Sequence, residues 1–155
     1  MKSKSFRIGV LALLILSACS KENDYVIYHR FPAHSWYRYN ILQFEIPLEL
    51  TEKPYDVYFF VNHTKQYAFD NLDFNMIMTT PAGEERIKEY HFPIRRKDGG
   101  IIGECTGDSC SVSIPLKKEI YFSGQGILKI EIENLVPRLE IKGILGVGIR
   151  LHPRG

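Results

Sequence analysis

Cysteine, tryptophan and methionine are all scarce in this 155-residue sequence, with three, one and three copies. Cys105 and Cys110 have no second cysteine pair and no His-x₃-His spacing beside them, so a closed zinc site has too few ligands. The five histidines, His29, His34, His63, His91 and His152, form no H-E-x-x-H or H-x-H arrangement, and neither a P-loop nor a dinucleotide fingerprint occurs. Those absences remove the common metallohydrolase and nucleotide chemistries, and no cofactor is expected. No Lys/Arg cluster interleaved with aromatics is present, which argues against nucleic acid as a partner. Internal repeats, low-complexity tracts and convincing amphipathic helical periods are also missing. Finally, the apolar run at residues 8–16 is too short to span about 30 Å of hydrocarbon as a helix.

That run belongs to an export signal. Lys2, Lys4 and Arg7 make a basic leader, and Leu16-Ser17-Ala18-Cys19 has the small-residue-then-cysteine pattern read by lipoprotein signal peptidase. Residues 1–18 are expected to be removed and Cys19 to carry acyl chains on its thiol and amine, since stable anchoring takes more than one chain. Residues 19–24 then form a short polar tether, and 25–155 a single domain. The leader takes three bases and no acids with it, leaving 17 Lys+Arg against 18 Asp+Glu. The basic character of the whole chain therefore belongs to the signal.

What is abundant is aromatic: nine Tyr and nine Phe. Period two dominates the hydrophobic pattern. Leu42, Phe44, Ile46 and Leu48 alternate with polar or proline positions; so do Leu128, Ile130 and Ile132, and Leu145, Val147, Ile149 and Leu151. Residues 55–62 and 72–79 alternate too, but Tyr58, Phe60 and Ile77 occupy their second faces, which marks them as central strands. Turn signals separate these runs at Glu52-Lys53-Pro54, Pro81-Ala82-Gly83, Lys97-Asp98-Gly99-Gly100 and Ser123-Gly124-Gln125-Gly126. About nine short strands without helices predict an all-β protein, a single antiparallel β-sandwich of jelly-roll or immunoglobulin-like type.

Cys105 and Cys110 flank the turn residues Thr106, Gly107, Asp108 and Ser109, so in an exported chain they read as a candidate disulfide closing a small loop, with two free thiols the alternative. Gly103-Glu104-Cys105-Thr106-Gly107 copies the nucleophile-elbow spacing, yet a polar strand follows it where the elbow needs a helix. The glycines read better as loop residues. Glu131 and Glu133 share a face with Lys129, as on a solvated strand. No catalytic residue is assigned, and the chain is expected not to be an enzyme.

The order of the strands resembles a known family. Trp36 ahead of the Phe44-Glu45-Ile46 strand, Pro54-Tyr55-Asp56-Val57-Tyr58, Tyr67-Ala68-Phe69-Asp70-Asn71-Leu72, the Thr80-Pro81-Ala82-Gly83 turn, Phe122-Ser123-Gly124 and Gly143-Ile144-Leu145-Gly146-Val147-Gly148-Ile149 are similar to the gliding-motility lipoprotein H (GldH) family of Bacteroidota. The resemblance runs from about Phe31 to Leu151. It departs at Val136-Pro137, where the family usually has a Met-Arg pair, and at 99–103, where the Gly-rich loop lacks its usual Trp. It implies a non-catalytic, membrane-anchored lipoprotein whose partners are other envelope proteins of a motility or secretion assembly, with no small-molecule ligand expected. It supplies no ligand residue beyond lipidation at Cys19. Ser20 after that cysteine is compatible with outer-membrane sorting, on either face.

The residues alone leave a second reading open. Aromatic-rich sandwiches often bind sugars by stacking, and Trp36, Tyr37 and Tyr39 are the candidate platform, although Trp36 also reads as a core anchor. An exposed aromatic row favours a glycan-binding surface lipoprotein; buried aromatics with a bare apolar patch favour an assembly subunit.

Overall fold

The computed structural model describes residues 23–49 and 52–155. The leader, Cys19 and the tether up to residue 22 lie outside the described residues. Among those described there is no helix, and eleven strands follow one another: β1 (Tyr25–Arg30), β2 (Ser35–Tyr37), β3 (Leu42–Leu48), β4 (Tyr55–Thr64), β5 (Asn71–Thr79), β6 (Glu85–Pro93), β7 (Glu104–Thr106), β8 (Ser109–Ile120), β9 (Gly126–Asn134), β10 (Glu140–Lys142) and β11 (Ile144–Pro153). One sheet has the order β1-β11-β4-β8-β7, a second β3-β9-β5-β6, and β10 pairs β2 in a small ribbon. All pairings are antiparallel. The count exceeds the expected nine because β2, β7 and β10 are three-residue strands, too short to show a period.

The alternation seen in sequence is what closes the sandwich. β3 runs buried and exposed by turns, so Leu42, Phe44, Ile46 and Leu48 face inward. Leu128, Ile130 and Ile132 of β9 do the same. Between the sheets Phe59 of β4 meets Phe74 of β5 at 4.3 Å and Phe92 of β6 at 5.1 Å between ring centroids. Each such side chain, fully buried, is worth roughly 1.5–3 kcal/mol relative to exposure, so this aromatic seam is one tie between the layers within a larger apolar core. β4 and β5 are interior strands of their sheets, as their two-sided pattern predicts.

One part of the expected pattern is corrected at β11. The register shifts between Ile144 and Gly146, so Ile144 is buried and Leu145, expected in the core, is only half-buried. A bulge re-aims every side chain before it by one position. Beyond it Gly146 and Gly148 are buried as well, because Tyr28 and Phe60 lie over them from the flanking strands. Those two rings stack at 5.8 Å. Beside them the Arg150 guanidinium covers Tyr58 at 4.4 Å.

Strand register defines two ends. At the first, where β1 begins, Tyr25 lies opposite Leu151, Pro153 opposite Tyr55, and Tyr55 opposite Ile120. Asp24, immediately before β1, is held there by His152 at 2.7 Å. The second end gathers Arg30, Gly146, Thr64, Ser109 and the β7–β8 turn. The β2–β10 ribbon joins it, since Gly143 between β10 and β11 donates its N–H to His34 and accepts from Thr64.

Candidate interaction surface

Trp36 organises the second end. It pairs with Ile141 across the ribbon, is wholly buried, and stacks on Phe31 at 5.4 Å. Its indole N–H donates to the Asn40 carbonyl at 2.8 Å, and the Asn40 N–H donates to the Tyr37 carbonyl. The buried tryptophan thereby ties down a turn whose other side chains have nowhere to go but outward. Tyr39 is 79% exposed, Tyr37 39% and Ile41 50%. Leu139, whose carbonyl accepts from Arg38, is 79% exposed beside them. Tyr37 and Tyr39 stack on each other at 5.5 Å. The Glu140 carboxylate opposite Tyr37 pushes its phenol pKa up.

Of the three aromatics named from sequence as a platform, Trp36 is corrected: a ring with no exposed surface cannot stack on a sugar. Tyr37 and Tyr39 remain available. Ile41 and Leu139 were not singled out from the sequence, although both carried a signal. Ile41 is out of phase with Leu42 and Phe44, and Leu139 sits between Arg138 and Glu140 just after Pro137. Tyr37, Tyr39 and Ile41 on the turn, with Leu139 beside Arg38, gather exposed apolar side chains at this end.

The β7–β8 hairpin stands at the same end. Cys105 lies directly opposite Cys110 with Cα atoms 4.0 Å apart, and the structure joins their sulfurs. Asp108 at the tip accepts a hydrogen bond from the Lys65 N–H, which docks the hairpin on the end of β4. The G-x-C-x-G string is therefore part of a hairpin, with no strand-to-helix turn. Gly103 has φ +94° and a Cβ there would lie 2.1 Å from the Ser111 carbonyl oxygen, so the glycine serves close backbone approach.

Beneath this end is a buried polar group that the sequence did not reveal. His63 is fully buried; its Nδ1 donates to the Thr64 carbonyl at 2.8 Å and its Nε2 has no hydrogen-bond partner. Burial, with the Arg95 charge adding to it, pulls the His63 pKa below its ordinary value. Arg95 reaches from the segment after β6 to donate to the Tyr67 and Lys65 carbonyls, pinning the loop between β4 and β5. Elsewhere His91 donates to the Asp73 carboxylate across β5 and β6, which raises its pKa. Among the described residues no three His, Cys, Asp or Glu side chains converge as a metal site. Glu131 accepts from Gln43 on the outer face of the second sheet.

The family model of the GldH lipoprotein matches residues 24–151, from the residue before β1 to Leu151 in β11. The chain belongs to the GldH lipoprotein family. It is 24% identical over 161 residues to the gliding motility lipoprotein GldH of Flavobacterium johnsoniae, covering 99% of each chain. It is 22% identical over 152 residues to the GldH homolog of Christiangramia forsetii, covering 94% of this chain and 93% of that one. Among solved structures, dimeric latent PorU from Porphyromonas gingivalis aligns with 83% of this GldH-family chain and 12% of its own, at 8% identity and a TM-score of 0.31. At that score no architecture is argued from it.

Proposed function

We propose that this chain is a lipid-anchored envelope component of the gliding-motility or linked secretion type, acting by holding protein partners and not by catalysis. Family membership supports the lipoprotein and motility setting. The observation that carries the mechanism is the exposed set of Tyr37, Tyr39 and Ile41 on the turn that Trp36 ties down, with Leu139 beside it. In this reading acylated Cys19 tethers the first end to the membrane, the outer membrane being our assignment. The second end, with its patch and its hairpin closed by a Cys105–Cys110 disulfide, then points away from the bilayer toward a partner.

A photo-crosslinking side chain in place of Tyr39, irradiated in intact cells, tests this. Covalent attachment to one or a few envelope proteins, lost when Leu139→Ser is added, is the expected result. The Tyr37–Tyr39 stack supports a second reading, a sugar-binding surface. Glycan binding by the purified protein, abolished by Tyr39→Ala with the fold unchanged and with no protein crosslink in cells, replaces the first reading with the second.

A further inference from the structure

The open side of the sandwich lies between β6, the outer strand of the second sheet, and β8, whose partner β7 pairs only with its first residues, Ser109 to Ser111. A cleft of about 360 Å³ enters there, within the range of small-molecule sites. Its floor is Met76, Met78 and Ile120, all buried. Register shows which way the charges point. Arg86 is opposite Met78 and Lys88 opposite Met76, so both lie on the inner face, and Lys117, from the irregular stretch of β8 opposite Val57, lines the same cleft. Arg86 is already neutralised by two contacts to the Glu84 carboxylate, at 2.8 and 2.9 Å. Lys88 rests 4.9 Å from the Tyr90 ring centroid. Among the described residues neither Lys88 nor Lys117 has a carboxylate partner.

Two unpaired ammonium groups above a floor of methionine and isoleucine complement a ligand with an anionic head and an apolar tail. Methionine suits such a floor because its unbranched thioether adapts to a flexible chain. The cleft also continues: a second hollow of about 250 Å³ shares Lys88 and Tyr90 and runs on past Ile114 and Leu116, leaving room for a long tail. Ile120 is at the first end of the sandwich, where the Ala82 N–H bonds the Ser123 carbonyl, so the cleft reaches toward the end where β1 starts. Residues 19–24 can extend at most about 3.3–3.6 Å each, which keeps that end within roughly 20 Å of a bilayer holding Cys19.

We propose that this cleft binds an anionic membrane lipid, its phosphate between Lys88 and Lys117 and one acyl chain along Met76, Met78 and Ile120. Nearness to the bilayer rests on the anchored reading above; the charge and shape of the cleft do not. The test uses the full mature protein in neutral maltoside micelles with phosphatidylglycerol or phosphatidylcholine carrying a diazirine near the acyl terminus. After photolysis, phosphatidylglycerol is expected to label peptides containing Met76, Met78, Ile114 or Leu116, and phosphatidylcholine to label them far less. Lys88→Gln with Lys117→Gln should cut the labelling roughly tenfold or more, the scale of losing charge-assisted contacts, at an unchanged melting temperature. Equal labelling by both lipids overturns the proposal. So does unchanged labelling in a double variant that instead self-associates, because the lysines would then be guarding exposed strand edges. The intact mass of the same sample reports acylation of Cys19, so failure of the anchor and failure of the cleft are read separately.

Discussion

Gly148 shows how one missing side chain shapes a sheet. A Cβ there would fall 2.3 Å from the Phe60 ring and 2.6 Å from the Ile27 carbonyl oxygen, so the aromatic ring occupies the space that any larger residue needs. Gly148→Ala should therefore destabilise by about 1–3 kcal/mol, the usual range for overpacking, with denaturant midpoint as the measure. The two structured histidines with shifted pKa values act in opposite directions. His63, depressed by burial, stays neutral in the folded state while the unfolded chain takes up a proton, so its contribution is lost as pH falls below about 6.5. His91, raised by Asp73, contributes below that value and loses its contribution as pH rises through its folded pKa. Ring-proton NMR titration should place their midpoints on opposite sides of the ordinary histidine value. The reverse order would contradict the buried neutral His63.

At the scale of elements, the β7–β8 hairpin is a local device with a local effect. A ring closed between residues 105 and 110 constrains little of the unfolded chain, on the order of 2 kcal/mol by the chain-entropy estimate. Cys105→Ser with Cys110→Ser is thus expected to lower stability by no more than about that amount and to speed hydrogen exchange at the hairpin tip, leaving β4 and β9 protected. Mass spectrometry of the unreduced protein should find both cysteines in one linked peptide; full alkylation without reduction rejects the bond. The longer elements were legible because each alternates over a half-buried face, as β3 and β9 do residue by residue. β11 was misread at its start, since a bulge leaves no mark in composition and glycines look like exposed positions until an aromatic from a neighbouring strand covers them. β2, β7 and β10 were not legible, being three residues each and formed by their partners.

For the whole molecule, Trp36 ties down the second end, and in the proposed reading acylated Cys19 tethers the first. Removing the fully buried indole should cost about 3–5 kcal/mol and free the turn that displays Tyr37 and Tyr39, so Trp36→Ala is expected to lower both thermal stability and partner crosslinking. Leu139→Ser should lower crosslinking from position 39 alone, because that side chain is mostly in solvent. Cys19→Ala should release the protein from the membrane fraction or leave it as precursor, which detergent phase partitioning reads directly. A protein still processed and still partitioning with detergent after that change rules out the acyl anchor.

The all-β class and the inward residues of β3 and β9 follow from the sequence by itself, because each depends on a period of two. Which residues meet at the far end did not. Arg38 and Leu139 are far apart in sequence and meet only because β10 pairs β2, and Lys88 and Lys117 share a cleft only because two sheets leave one side open. Trp36 likewise could serve as core or as platform until the ribbon closed over it. Local pattern encodes which face of a strand is buried; the pairing of distant strands decides what the exposed remainder assembles into.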